Sequence, residues 1–386
     1  TYLHFFLEPL YLETINCIYF FILEDKMAFS LQMYPITYMA KYNSETEKWE
    51  ERWIESDTIT FDELNALSPE KKEAVLAARN DLKLPGVSYT SQYGFGCFEG
   101  MKAFPTKDGR VAIFRPDQNA KRFANSMRGL KAPAFPEDLY INASKEFVKR
   151  NAVLGYVPSY DAEWEKDSYA SASAVYMRPF MNTEAAIGVG ISVEPYVIIC
   201  GTTVSSYFKG GNTKAITTER IRATKHGTGW IKCASNYVIS ALAKREAEDA
   251  GYMEVIFLDT SRKYVQEGSS CNIFFKLKDG TLITPELGDT ILPGITRSST
   301  ITLANQLGIK VEERLVTIDE VMKDAVECFV TGTAAGLTPI ESITHEGREA
   351  VFNNREPGEV ATQIQKILKG GQYGSVEDTN NWNYYV

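Results

Sequence analysis

Gly227-Thr228-Gly229-Trp230-Ile231-Lys232-Cys233-Ala234-Ser235-Asn236-Tyr237 opens an ordered series of small-residue turns in the second half of the chain. Gln266-Glu267-Gly268-Ser269-Ser270-Cys271-Asn272 follows, then Leu292-Pro293-Gly294-Ile295-Thr296-Arg297, then Thr331-Gly332-Thr333-Ala334-Ala335-Gly336. Each turn adjoins an apolar stretch that reads as a strand or helix. Ala215–Ile221 reads as a strand, Tyr237–Ala250 as a helix stopped by Gly251, and Glu254–Leu258 as a strand. Asn272–Leu277 and Thr281–Thr284 flank Lys278-Asp279-Gly280, a hairpin signal. Thr296–Leu307 is a predicted helix, Val311–Leu315 a strand, Ile318–Asp324 a helix, Glu327–Thr331 a buried strand and Gly358–Leu368 a last helix.

Ahead of these turns the rhythm differs. A helix is predicted over Ser68–Arg79, with Pro69 at the favoured first position. Val111–Phe114 is a short strand, and the helix starting at Pro116-Asp117 carries Phe123, Met127 and Leu130 on one face. Another helix covers Asp138–Leu154, and Ala174–Met181 and Ile191–Cys200 read as strands. The run from Gly201 to Gly211 breaks the pattern and is the candidate interdomain connection. Residues 44–85 read as a solvated, charged segment apart from their one helix. Strands and helices mix without strict βαβ alternation, so the expected class is α+β, or mixed α/β, in two domains. The boundaries expected are 27–200 for a smaller N-terminal domain, 201–213 for a connecting loop, and 214–386 for a larger C-terminal domain.

The chain has 386 residues, 44% of them hydrophobic, enough for sizeable cores. A formal charge of -9 with dispersed Lys and Arg argues against a nucleic-acid partner. Six cysteines (17, 97, 200, 233, 271 and 328) show no C-x-x-C spacing, which suits reduced thiols in the cytoplasm. The three histidines, at 4, 226 and 345, nearly exclude a zinc site or a histidine triad. Residues 1–26 are aromatic and aliphatic but carry Glu8, Glu13, Glu24 and Asp25. They lack the features of a signal peptide, and the apolar run Cys17–Leu23 is too short to span a bilayer. Met27 is the expected start of the folded protein, with residues 1–26 an upstream or non-native extension.

The turns carry a specific chemistry. Lysine becomes a nucleophile only when its environment holds it unprotonated or in a Schiff base. Taken singly, Lys232 reads more commonly as an ordinary surface lysine, and Glu267 as a solvent-facing or capping strand-end carboxylate. A carboxylate beside a pyridine nitrogen keeps that nitrogen protonated, and a helix opening at Ile295-Thr296 presents unpaired N–H groups to a phosphate. Thr333 and its small neighbours offer a second donor set, and the phenol of Tyr237 lies near Lys232 in sequence. Lysine, phenol, carboxylate and two donor turns, in this order along the chain, are the parts needed to hold pyridoxal phosphate.

Read from about Tyr89 onward, the chain resembles the fold-type IV pyridoxal-phosphate enzymes, and among them the branched-chain amino-acid aminotransferases. Tyr93-Gly94-Phe95-Gly96-Cys97-Phe98-Glu99-Gly100-Met101-Lys102-Ala103-Phe104 resembles the eukaryotic-type branch, and Val175-Tyr176-Met177-Arg178-Pro179 matches as well. The resemblance implies that Lys232 carries the cofactor as a Schiff base, that Glu267 pairs with the pyridine nitrogen and that Tyr237 meets the 3′-oxygen. It places Arg122, Ser270, Ile295, Thr296 and Thr333 around the rest of the cofactor. Tyr93, Phe98, Tyr176, Arg178, Tyr207, Thr333 and Ala334 fall where the family builds its substrate pocket. Two departures stand out. Ala335 and Thr338 occupy the places of a redox C-x-x-C pair found in some members, and Ser270 stands where threonine is frequent.

The activity implied is ping-pong transfer of the amino group of L-leucine, L-isoleucine or L-valine to 2-oxoglutarate, by a cytoplasmic homodimer with no membrane partner. A D-amino-acid aminotransferase or an aminodeoxychorismate lyase shares the lysine–glutamate pair. A non-catalytic homologue that binds cofactor or a protein partner is the reading of another class.

Overall fold

The computed structural model describes residues 31–205, 211, 213–334 and 336–386. Residues 1–26, Tyr207 and Ala335 therefore lie outside the described residues. Met33–Val386 cluster as one compact unit built on three sheets.

The first sheet has seven strands, in the order Asn383–Tyr385, Val111–Phe114, Met101–Pro105, Ala174–Asn182, Tyr196–Val204, Ile36–Asn43, Lys48–Glu55. Every pairing in it is antiparallel. Helices Pro116–Gly129 and Glu137–Val153 pack on it, burying Phe123, Met127 and Leu130 as the stripe predicts, together with Phe147, Val148, Tyr38 and Met177.

The second sheet runs Val311–Arg314, Leu282–Pro285, Asn272–Leu277, Ala325–Gly332, Gly336–Pro339. Its one parallel pair, Leu282–Pro285 with Val311–Arg314, is connected through helix Ile295–Gln306, as a parallel crossover requires. The third runs Arg348–Val351, Ser342–His345, Lys214–Thr217, Glu254–Leu258, Val265–Gly268, and helix Asn236–Asp249 makes the parallel crossover from Lys214–Thr217 to Glu254–Leu258. Strand Asn272–Leu277 explains the packing by its period of two. Ile273 and Phe275 enter a core shared with Ile256, Leu258 and Ile343 of the third sheet. Phe274 faces the other way and stacks on Phe329 at 5.2 Å, under Leu303 and Ile364 of helices Ile295–Gln306 and Glu359–Gln372. The mixed α/β class is the one expected.

The structure corrects the reading of residues 44–85 as a solvated segment. Lys48–Glu55 is an edge strand paired with Ile36–Asn43. Trp53 packs on Tyr38 at 5.2 Å and Trp49 on Phe135 at 4.8 Å, while Lys48, Glu50 and Glu55 face solvent. Charge on an edge strand discourages pairing with another chain, and it hides the strand from a hydropathy reading. Arg79, at the end of the predicted helix, is fully buried and bonded to Asp57, Tyr156 and the Met33 carbonyl. The strand expected over Ile191–Cys200 begins later, at Tyr196, and continues to Val204, so Gly201–Val204 is sheet rather than a break. Gly201 is there for a close approach: a Cβ would meet the Tyr176 carbonyl at 2.8 Å and the Phe147 ring at 3.0 Å.

Candidate active site

The Lys232 turn is bolted to the string Gly96–Gly100 of the first sheet's side by backbone bonds on both sides of the lysine. Ala234 N–H donates to the Gly96 carbonyl at 2.9 Å, and Phe98 N–H donates to the Lys232 carbonyl at 3.1 Å. Lys232 N–H itself donates to Ser126 Oγ at 3.1 Å. Asn236, first residue of its helix, donates from Nδ2 to the Thr228 and Ile231 carbonyls at 2.8 and 3.1 Å and so closes the turn. The lysine is thus fixed at its backbone while its side chain projects over aromatic faces. Lys232 Nζ donates to Tyr237 Oη at 2.9 Å and lies 4.9 Å from the Phe98 ring centre, with the Phe98 and Tyr237 rings 4.8 Å apart.

Glu267 sits buried at the end of strand Val265–Gly268. Its Oε1 meets Arg222 Nη2 at 2.5 Å, and its Oε2 accepts from Asn272 Nδ2 at 3.0 Å. Asn272 Nδ2 also reaches the Leu292 carbonyl at 3.0 Å, tying the glutamate turn to the Pro293-Gly294 turn. A Cβ on Gly294 would collide with Asn272 Oδ1, which accounts for a glycine there. Burial pushes the Glu267 carboxyl up to about 7, against the opposing pull of the Arg222 guanidinium. Because the folded value exceeds the ordinary 4.5, Glu267 favours the folded state most at low pH and loses that contribution as pH rises through about 7. In cofactor-free protein, the stability advantage of the parent over Glu267→Gln is therefore expected to shrink as pH is raised across this window. Urea midpoints of the two proteins measured at both ends of the window check the sign.

Arg122, on helix Pro116–Gly129, is held by Glu99 in a fork: Nε to Oε1 at 2.7 Å and Nη2 to Oε2 at 2.8 Å. Its Nη1 donates to the Pro293 carbonyl at 3.0 Å, and Asn119 Nδ2 donates to Glu99 at 2.7 Å. Both terminal nitrogens of Arg122 keep a second N–H for a ligand. Ile295 and Thr296 open their helix with Gly294 as an N-cap that offers no side-chain bond, so the first-turn N–H groups stay available to an anion. Thr333 follows the strand end at Gly332, and the buried Thr331 hydroxyl has no partner. Arg122, Lys232, Tyr237, Glu267, Ser270, Ile295, Thr296 and Thr333 all line one pocket, with Ser270 at its exposed rim.

Of the expected substrate residues, Phe98, Tyr176 and Arg178 come together. The Arg178 guanidinium lies 4.7 Å from the Phe98 ring centre, and its Nη2 donates to Tyr176 Oη at 2.8 Å. Its Nε is buried without a partner. Gly100 leaves room for the Tyr176 phenol, which a Cβ there would strike. Ala334 follows Thr333, and its carbonyl accepts from Lys102 Nζ. Tyr93 is exposed at the end of helix Tyr89–Tyr93. The sequence reading missed Arg222, Asn272, Glu99 and Lys102. Glu99 and Lys102 lay inside the quoted 93–104 string, but their partners are set by tertiary contacts that no local pattern announces.

Comparison with known proteins identifies the family. The family model described as amino-transferase class IV matches residues 96–343. A protein of Staphylococcus aureus (strain MRSA252), named a probable branched-chain-amino-acid aminotransferase, is 39% identical over 305 residues, 76% of this chain and 81% of its own length. The structure of the branched-chain aminotransferase from Thermoproteus uzoniensis with norvaline superposes with a TM-score of 0.67 at 28% identity, covering 79% of this chain and 94% of that one. That of the branched-chain amino acid aminotransferase from Thermobaculum terrenum in its PLP-form gives 0.68 at 25% identity, covering 92% of this chain and 99% of that one. With the family match covering the lysine, the carboxylate and both donor turns, the chain belongs to the class IV aminotransferases.

Proposed function

We infer that the chain is a pyridoxal-phosphate-dependent aminotransferase that moves the amino group of L-leucine, L-isoleucine or L-valine to 2-oxoglutarate. The observation that carries this reading is the shared pocket, in which Lys232 with Tyr237, Glu267 with Arg222, and a helix N-terminus with Arg122 all converge. The donor set fits the cofactor: the spare N–H groups of Arg122, the uncapped start at Ile295-Thr296 and the partnerless Thr331 hydroxyl suit a phosphate, and Glu267 suits a pyridine nitrogen. When bound, pyridoxal phosphate supplies the carbonyl that captures the amine and the ring that accepts the electron pair.

The chain's own residues do the rest. Lys232 takes the proton from the substrate Cα, helped by a backbone anchored on both sides that fixes where its side chain starts. Tyr237 keeps Nζ in place through its hydroxyl. Arg222 and Asn272 hold Glu267 so that its charge faces a cationic partner. Phe98 and Tyr176 offer aromatic walls to a branched side chain, while the partnerless Nε of Arg178 awaits the distal carboxylate of glutamate. Arg178→Ala is expected to cut turnover of glutamate and 2-oxoglutarate by about 10- to 100-fold more than turnover of leucine, the worth of a hydrogen bond to a charge. Half-reaction rates with each substrate test this, and equal losses would contradict the assignment.

In this reading the residues through Val204 form the smaller domain, with the C-terminal strand Asn383–Tyr385 added at the edge of its sheet, and the rest of the residues from Lys214 form the larger. Val238 and Leu242 stand exposed one turn apart on helix Asn236–Asp249; we assign this apolar pair to contact with a second copy of the chain. Among the described residues no helix is long and apolar enough to cross a membrane, and the five cysteines are unpaired. Free thiols support a cytoplasmic setting.

A further inference from the structure

Arg115 stands where strand Val111–Phe114 turns into helix Pro116–Gly129, and its backbone is left-handed there, with φ 48° and ψ 47°. That conformation is unfavourable for any residue with a Cβ. Backbone bonds impose it: Arg115 N–H donates to the Trp382 carbonyl at 2.8 Å, and its own carbonyl accepts from the Gln118 and Asn119 N–H groups at 3.1 and 3.3 Å. Strain that the surroundings maintain in this way points to a task for the residue that bears it.

The side chain reaches across to another helix. Arg115 Nη1 donates to Ser298 Oγ at 3.0 Å and to Ser299 Oγ at 2.7 Å, near the start of helix Ile295–Gln306. Both hydroxyls in turn donate to the Ile295 carbonyl at 3.0 Å. Arg122, two turns further along the helix that Arg115 caps, reaches the Pro293 carbonyl on the other side of the same turn. Two arginines of one helix therefore hold the start of the other from both ends. The C-terminal segment covers the first of them. The Trp382 ring lies 4.9 Å from the Arg115 guanidinium and packs edge-on against Phe114 at 5.6 Å, and the pairing of Asn383–Tyr385 with Val111–Phe114 keeps it there.

We propose that Arg115 is a positioning residue for the cofactor's phosphate: by gripping Ser298 and Ser299 it fixes where the unpaired N–H groups of Ile295 and Thr296 point, and the C-terminal strand holds it in place through Trp382. This rests on the functional reading above, in which the start of that helix meets the phosphate. Arg115 lies outside the lining of the Lys232 pocket, whereas Ile295 and Thr296 belong to it, so its influence passes through the helix. Direction matters because a hydrogen bond weakens steeply once donor and acceptor are misaligned.

The test uses the full-length chain freed of cofactor and titrated with pyridoxal phosphate or with pyridoxal, which lacks the phosphate, both read by the visible band of the bound aldehyde. Arg115→Gln is expected to weaken pyridoxal phosphate by about 10-fold and leave pyridoxal unchanged, with Arg115→Lys between the variant and the parent because it keeps one donor. A merely structural role would weaken both ligands alike. Equal weakening of both, or of neither, overturns the assignment while the parent's own response leaves the functional reading standing. Should Arg115→Gln fail to fold, Ser298→Ala combined with Ser299→Ala decides, since it removes the two hydroxyls that Arg115 grips. Selective loss of pyridoxal phosphate supports the assignment, and a loss shared by pyridoxal, or no loss, overturns it. A parent chain that gives no band with pyridoxal phosphate would overturn the functional reading and this inference with it.

Discussion

Lys232→Ala is expected to lose transamination by at least about 10²- to 10⁴-fold, the contribution of a positioned proton-transfer group alone. The loss should come without unfolding. The backbone bonds of Lys232 to Ser126 and Phe98 do not involve its side chain, and the turn is closed by Asn236. Only one polar contact of the side chain disappears, that to Tyr237 Oη. Thermal or urea denaturation of the variant should match the parent within the small range of a change that opens no core. Single-turnover measurement with L-leucine separates the two effects. A folded variant with parental turnover would remove Lys232 from the chemistry.

The second large effect is on stability. Glu99 is fully buried and accepts from Arg122 twice, from Asn119 and from the Gly100 N–H. Glu99→Ala strands the Arg122 guanidinium in the interior with no counter-charge, at a cost of about 3–5 kcal/mol. Denaturant midpoints read this directly. Pyridoxal-phosphate affinity of whatever variant folds should fall too, because the fork with Glu99 is what aims Arg122 at the Pro293-Gly294 turn.

What the sequence made legible follows from which forces act locally. Strand Asn272–Leu277 is apolar on both faces because cores lie on both faces, so its reading needed no tertiary knowledge. The helix at Pro116 was legible because proline sits at its start and one stripe is apolar. Lys48–Glu55 was not, since its edge position allows charge on the open face and only Trp49 and Trp53 betray the core side. The C-terminal strand Asn383–Tyr385 was missed for a related reason: three residues suffice because they pair with Val111–Phe114, and Arg110 stacks on Tyr385 at 3.5 Å. Gly201 read as punctuation because a glycine's two uses, turning and close approach, look alike in sequence.

The site divides in the same way. Lys232, Glu267 and the Ile295-Thr296 helix start were legible as small-residue turns in a fixed order. Their partners were not, because Arg222 reaches Glu267, and Glu99 reaches Arg122, only once separate sheets and helices have packed. Those pairings carry much of the electrostatics: one opposes the burial that lifts Glu267, the other neutralises a buried guanidinium.

The most direct test of the central claim is rapid-mixing visible absorbance of the purified, pyridoxal-phosphate-loaded protein with L-leucine and, separately, with D-alanine. L-leucine is expected to abolish the visible band of the bound cofactor and 2-oxoglutarate to restore it, while D-alanine does neither. A band that D-alanine bleaches and L-leucine leaves intact would contradict the substrate assignment, and the absence of any band after loading would contradict the role of Lys232.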